Sequence, residues 1–167
     1  MTRAPQEKVY CGSMTTAGAD TESRRFNATM HKFGAPETVI RDYRDWVVLL
    51  RPRQCTLGAL VLATYEPATS FSGISEGAFI GLKTVVSDLE AALERAFGYH
   101  KINYLMLMMV DPDVHFHVVP RYAQTQHFEG VAFSDPGWPG PPDLSHVNET
   151  GAALNQLISD RIRQCWS

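Results

Sequence analysis

Apolar residues recur at three- and four-residue spacing from Phe79 through Leu82, Val86, Leu89 and Leu93 to Ala96, which predicts a helix over residues 75–97 with one face on a core. Its ends carry matching signals. Ser75 can accept a backbone N–H as N-cap, Glu76 suits the positive first turn, and Gly98 supplies a left-handed stop. Elsewhere the pattern changes to short apolar runs bounded by turn residues. The runs 38–40 and 46–50 predict a hairpin, and 59–65, almost wholly apolar between Gly58 and Pro67, predicts a central strand. Runs at 102–110 and 114–120 predict two more strands joined by a tight turn at Asp111-Pro112, with Met106, Met108 and Met109 in the core. A last helix is expected over about 148–164, where Leu154, Leu157, Ile158 and Ile162 share a face.

Two stretches lack such patterns. Residues 1–29, rich in Thr, Ala, Gly and Arg, are expected to form a largely disordered N-terminal extension. Residues 124–144 contain Asp135-Pro136-Gly137-Trp138-Pro139-Gly140-Pro141-Pro142, where proline removes donors and fixes φ, so an ordered loop is expected with Trp138 as a structural plug. The fold class is therefore α+β: an antiparallel sheet of about five strands, one long packed helix and a C-terminal helix. A domain over 30–122 is completed by the Pro-rich loop and last helix over 123–167.

Composition narrows the function classes. A formal charge of −3 over 167 residues provides no global basic field for a nucleic-acid backbone, so a small-molecule ligand is expected. Cys11, Cys55 and Cys165 form no CxxC pair and read as incidental reduced thiols. The first thirty residues hold no apolar run long enough for a signal-peptide core, and no stretch approaches the length of a membrane span, so no membrane partner and a cytoplasmic location are expected.

The candidate chemistry lies in Asp113-Val114-His115-Phe116-His117-Val118-Val119-Pro120. Strand alternation puts Asp113, His115 and His117 on one face and sends Val114, Phe116 and Val118 into the core. An isolated His-x-His is weak evidence in a chain with six histidines, so its context decides. Lys101-Ile102-Asn103-Tyr104 followed by His115-Phe116-His117-Val118-Val119-Pro120-Arg121-Tyr122 resembles the paired strands of the histidine triad (HIT) superfamily of nucleotide hydrolases and transferases. With 47–52 and 58–65 similar to its earlier strands, the resemblance covers residues 30–122.

The resemblance implies a HIT-like fold, a homodimer and cleavage or transfer at the α-phosphate of a nucleotide, with no metal or cofactor in the covalent step. It casts His115 as the nucleophile that forms a nucleotidyl-histidine intermediate. His117 becomes the partner of phosphate and leaving-group oxygens, and Asn103, Asp113 and Arg121 become substrate-binding candidates. An imidazole suits the attack because it is neutral near pH 7 and its phosphoramidate is labile to water. Phe33, Trp46 and Leu50 are candidate walls for a nucleobase.

The sequence departs from the family's pattern where Asp113 stands at the first triad histidine. A carboxylate there would repel a phosphate unless protonated or turned away. The family's glycine and glutamine before the motif are replaced by Leu105 to Met109. Two alternatives to the enzyme stay open: a nucleotide-binding protein with little turnover, and a metal hydrolase in which Asp111, Asp113 or His127 joins the two histidines as a ligand.

Overall fold

The computed structural model of the chain describes residues 26–166. Its elements run α1 (Ala28–Lys32), β1 (Val39–Asp42), β2 (Trp46–Leu50), β3 (Leu60–Thr64), a 3-10 turn (Phe71–Gly73), α2 (Glu76–Phe97), β4 (Lys101–Leu105), β5 (His115–Arg121), β6 (Gln126–Phe128), β7 (Val131–Phe133) and α3 (Ala152–Cys165). The first five strands form one antiparallel sheet in the order β1-β2-β3-β5-β4. The α+β class and the five-stranded sheet follow the sequence reading. β3 is central and buried at every position, as its unbroken apolar run requires.

Period-two alternation divides the strands between two faces. Trp46, Val48, Leu50, Leu60, Leu62 and Val118 pack with Val85, Leu89 and Leu93 of α2 and Ile158 and Ile162 of α3. On the other face Val47, Leu49, Val61 and Ala63 pack under Met30 and Ala35, beside α1. Trp46 and Leu50 therefore lie on the face away from the two histidines and cannot wall a pocket there.

α2 has the expected caps: the Ser75 hydroxyl accepts from the Ala78 N–H, and Gly98 takes φ +59°. Its buried stripe runs through Ala78, Val85, Leu89, Ala92 and Leu93, whereas Phe79 stays 40% exposed beside Phe71. Gly58, at φ +78°, approaches α2 so closely that an added Cβ would lie 2.8 Å from the Phe97 ring.

Three expectations are corrected. The expected disorder over 1–29 falls mainly outside the described residues, but Asn27 caps α1 through the Met30 N–H and Thr29 is buried. Order therefore begins before residue 30. β4 ends at Leu105, so β4 and β5 pair as predicted but are joined by a nine-residue loop, 106–114, with Met109 fully exposed. The physical reason is at the loop's far end, where Asp111 and Asp113 are drawn to Lys32 and Thr29 on α1. Finally, β6 and β7 form a small hairpin inside the stretch expected to be loop. It turns at Glu129-Gly130, both in the left-handed region.

Candidate functional site

β5 lies between β3 and β4, and its register sets His115 opposite Ala63 and His117 opposite Val61 and Leu105. Both imidazoles therefore project onto the face carrying Val47 and Leu49. That face is covered: His115 is fully buried and His117 is 7% exposed. The rings lie 5.2 Å apart between centroids and nearly perpendicular, and the Phe33 ring lies 5.9 Å from His115 and 5.5 Å from His117. Phe33 is the one wall candidate found beside the histidines.

His115 Nδ1 sits 2.7 Å from the Asp113 carbonyl oxygen. A carbonyl only accepts, so Nδ1 carries a proton, and in the neutral ring this tautomer puts the lone pair on Nε2. That Nε2 is buried and has no hydrogen-bond partner. The contact fixes the orientation of the ring and leaves Nε2 as its unused nitrogen. Burial pushes the His117 pKa down to about 4, with the Arg51 charge and any positive charge on His115 acting in the same direction, so His117 is neutral at pH 7. Its Nδ1 is likewise buried without a partner.

The carboxylate of Asp113 is engaged with α1, accepting from the Thr29 hydroxyl at 2.7 Å and the Thr29 N–H at 3.3 Å. Its neighbour Asp111 pairs with Lys32 at 2.6 Å. These two contacts hold α1 against the 106–114 loop and place Phe33 over the histidines. In this arrangement Asp113 contributes its main-chain carbonyl to His115 and its side chain to the closure of the site.

Arg121 and Asn103 lie farther along the same face. The Arg121 guanidinium meets Asp135 with Nε–Oδ2 at 2.7 Å and Nη2–Oδ1 at 3.0 Å, in an ion pair whose side chains are 4% and 1% exposed. Its Nη1 donates to Asn103 Oδ1 at 2.8 Å and to the Gly140 carbonyl at 3.1 Å. The pair thereby anchors the Pro-rich segment to β4 and β5. Between them opens a cleft of about 650 Å³ bordered by Lys101, Asn103, Arg121 and Trp138. Trp138 also lies against His100, its ring centroid 5.9 Å away.

Among the described residues no group of three or more His, Cys, Asp or Glu side chains is arranged to hold a metal ion, and no helix is long and apolar enough to cross a membrane. His127 sits on the β6–β7 hairpin, opposite Ala132.

Sequence reasoning missed Arg51, whose charge reaches His117, and Thr29, which holds Asp113. Arg51 continues the alternation of Val47 and Leu49, but β2 is apolar on both faces, so its sequence gives no phase from which to assign a side. Thr29 lay in a stretch with no pattern at all.

No protein-family model and no curated protein matches the chain. Solved structures do. A histidine triad protein from Bradyrhizobium japonicum superposes with TM-score 0.67 at 19% identity, covering 86% of this chain and 98% of its own. A histidine triad protein from Sinorhizobium meliloti 1021 gives TM-score 0.66 at 18% identity, covering 84% and 95%. A hypothetical histidine triad nucleotide-binding protein from Sulfolobus tokodaii gives 0.57 at 14%, covering 77% and 82%. At these identities the likeness is one of architecture, and it extends over nearly the full length of the first two proteins. With its five-stranded antiparallel sheet, long helix and paired strand histidines, the chain has the histidine triad fold.

Proposed function

We propose that the protein cleaves or transfers a nucleoside monophosphate group at the α-phosphorus, with His115 as nucleophile and His117 as the proton-carrying partner. The observation that carries this reading is the His115 ring: its Nδ1 proton is held by the Asp113 carbonyl and its Nε2 is left without a partner. The Sulfolobus neighbour, described as nucleotide-binding, agrees with the substrate class.

In this reading the Nε2 lone pair attacks phosphorus and forms an N–P bond. The bond to the leaving group breaks, and its electron pair departs with that group. His117 enters as a neutral imidazole. The approaching phosphate raises its pKa by supplying opposite charge, so it takes up a proton and passes it to the departing atom. Water then attacks the phosphorus, giving a proton to the again neutral His117, and the N–P bond breaks with its electron pair returning to Nε2 as the nucleotide is released. Asp113 acts through its carbonyl and through α1, which removes the expected clash between a carboxylate and the phosphate. Asn103 and Arg121 act as positioning residues through the Pro-rich segment. A homodimer formed along β4, the last strand of the sheet among the described residues, belongs to the same reading.

The test is nucleotide release from adenosine phosphoramidate, a dinucleoside polyphosphate and a sugar nucleotide, with mass spectrometry for an acid-labile nucleotidyl adduct. His115→Ala should abolish the adduct and lower turnover by roughly a thousandfold or more. Unchanged turnover in that variant would remove the covalent mechanism.

Complete burial of His115 favours a second reading, a nucleotide-binding protein with little turnover. It predicts retained nucleotide binding with no release from any of the three substrates.

A further inference from the structure

Four buried side-chain polar atoms among the described residues have no hydrogen-bond partner: Arg51 Nε, His115 Nε2, His117 Nδ1 and Asn155 Oδ1. The first three belong to one sheet face. Val47, Leu49 and Arg51 alternate onto the side that Val61 and His117 occupy, and the Arg51 N–H extends the ladder by donating to the Ala59 carbonyl at 3.0 Å. Arg51 thus stands two residues beyond the row that contains His117, about 7 Å along the strand direction.

The guanidinium is held but not neutralised. Its Nη1 donates to the Arg53 carbonyl and its Nη2 to the Leu144 carbonyl at 3.2 Å. No carboxylate among the described residues makes an ion pair with it, in contrast to Arg121, which faces Asp135. The base of the side chain is also fixed, because the fully buried Gln54 donates to the Arg51 carbonyl at 2.5 Å and to the Ala59 carbonyl at 2.9 Å. A half-buried cation with a buried, unused N–H is costly without an anion beside it. Its charge is also one of the influences that depress the His117 pKa, so an anion between the two residues would relieve both.

We propose that Arg51 binds a second phosphate of the substrate, in addition to the one that reacts at His115, so that the ligand class is a nucleotide carrying two phosphate groups. Phosphate matches the donors left over. With one N–H of each terminal nitrogen engaged by a carbonyl, Nε–H and one N–H on each Nη remain, which fits the oxygens of a tetrahedral anion. The inference rests on the reading of His115 and His117 as a phosphate site.

The test is calorimetric titration of the full chain with inorganic phosphate, pyrophosphate, AMP, ADP and adenosine 3′,5′-bisphosphate, for the native protein, Arg51→Gln, Arg51→Lys and His115→Ala. The native protein should bind at least one two-phosphate probe about tenfold or more tightly than its one-phosphate counterpart. In Arg51→Gln that preference should collapse to about twofold or less, and Arg51→Lys should keep part of it as a point charge. A residue that only tethered Leu144 would lower the melting temperature and weaken every probe alike. Equal preference in the native protein and Arg51→Gln, or no preference in the native protein, overturns the proposal. An Arg51-dependent preference in a protein that releases no nucleotide sustains this inference while removing the enzymatic reading. Turnover that needs His115 but ignores Arg51, with no two-phosphate preference, does the reverse.

Discussion

At the scale of single residues, His117 carries the clearest consequence. Its pKa is about 4 in the folded protein against 6.5 for the free side chain, so between those values the unfolded chain binds the extra proton. Stability is therefore complete above about pH 6.5 and is lost as the pH falls towards 4. Denaturant melts at pH 7 and pH 5 should show this loss, of the order of 1–2 kcal/mol, and His117→Gln should flatten it. The same shift predicts proton uptake when phosphate binds near pH 6. Titration in two buffers of different ionisation enthalpy measures it, and equal apparent enthalpies would contradict the proposed proton-carrying role. Asp113 shows how position and side chain can separate: its carbonyl fixes the His115 tautomer while its carboxylate serves Thr29.

At the scale of elements, α1 and the 106–114 loop close the site together through Thr29–Asp113 and Lys32–Asp111. Asp113→Ala leaves the His115 carbonyl contact in place but frees α1. That variant should lose about 1–3 kcal/mol of stability and expose His115 to diethyl pyrocarbonate, with an increase in modification rate read by peptide mapping. An unchanged rate would mean that Met30 and its apolar neighbours hold α1 without the polar contact. The Pro-rich segment has its own fastening. Asn148 donates to the Gln54, Cys55 and Ser134 carbonyls, and Asp135 pairs with Arg121. Asp135→Asn leaves a buried guanidinium without its counter-charge, and a cost of about 3–5 kcal/mol is expected by thermal or chemical denaturation.

At the scale of the whole molecule, the sheet ends among the described residues on β4, which borders the 650 Å³ cleft through Lys101 and Asn103. Light scattering coupled to size exclusion should give twice the 18.6 kDa chain mass if the proposed pairing of β4 edges occurs. A proline at Asn103 should then yield monomers if that residue's N–H faces the partner strand. Much of this architecture was legible in the chain, because hydrophobic period and end-capping are local: Ser75 and Gly98 bound α2 as expected, the apolar run of β3 marks the sheet centre, and alternation puts His115 and His117 on one face. Side assignment failed where no local signal exists. Both faces of β2 are apolar, so nothing in 46–51 tells that Val47 and Leu49 share the histidine face with Arg51 while Trp46 and Leu50 oppose it. The partners of Asp113, Asn103 and Arg121 lie 84, 18 and 14 positions away, respectively, in Thr29, in each other and in Asp135, and no sequence period links residues so far apart. Local pattern therefore specified the elements and the paired imidazoles. Folding decided which nitrogen of His115 holds the proton, what covers the site and which cation stands beside it, because those properties arise from contacts between segments that meet only in the packed sheet.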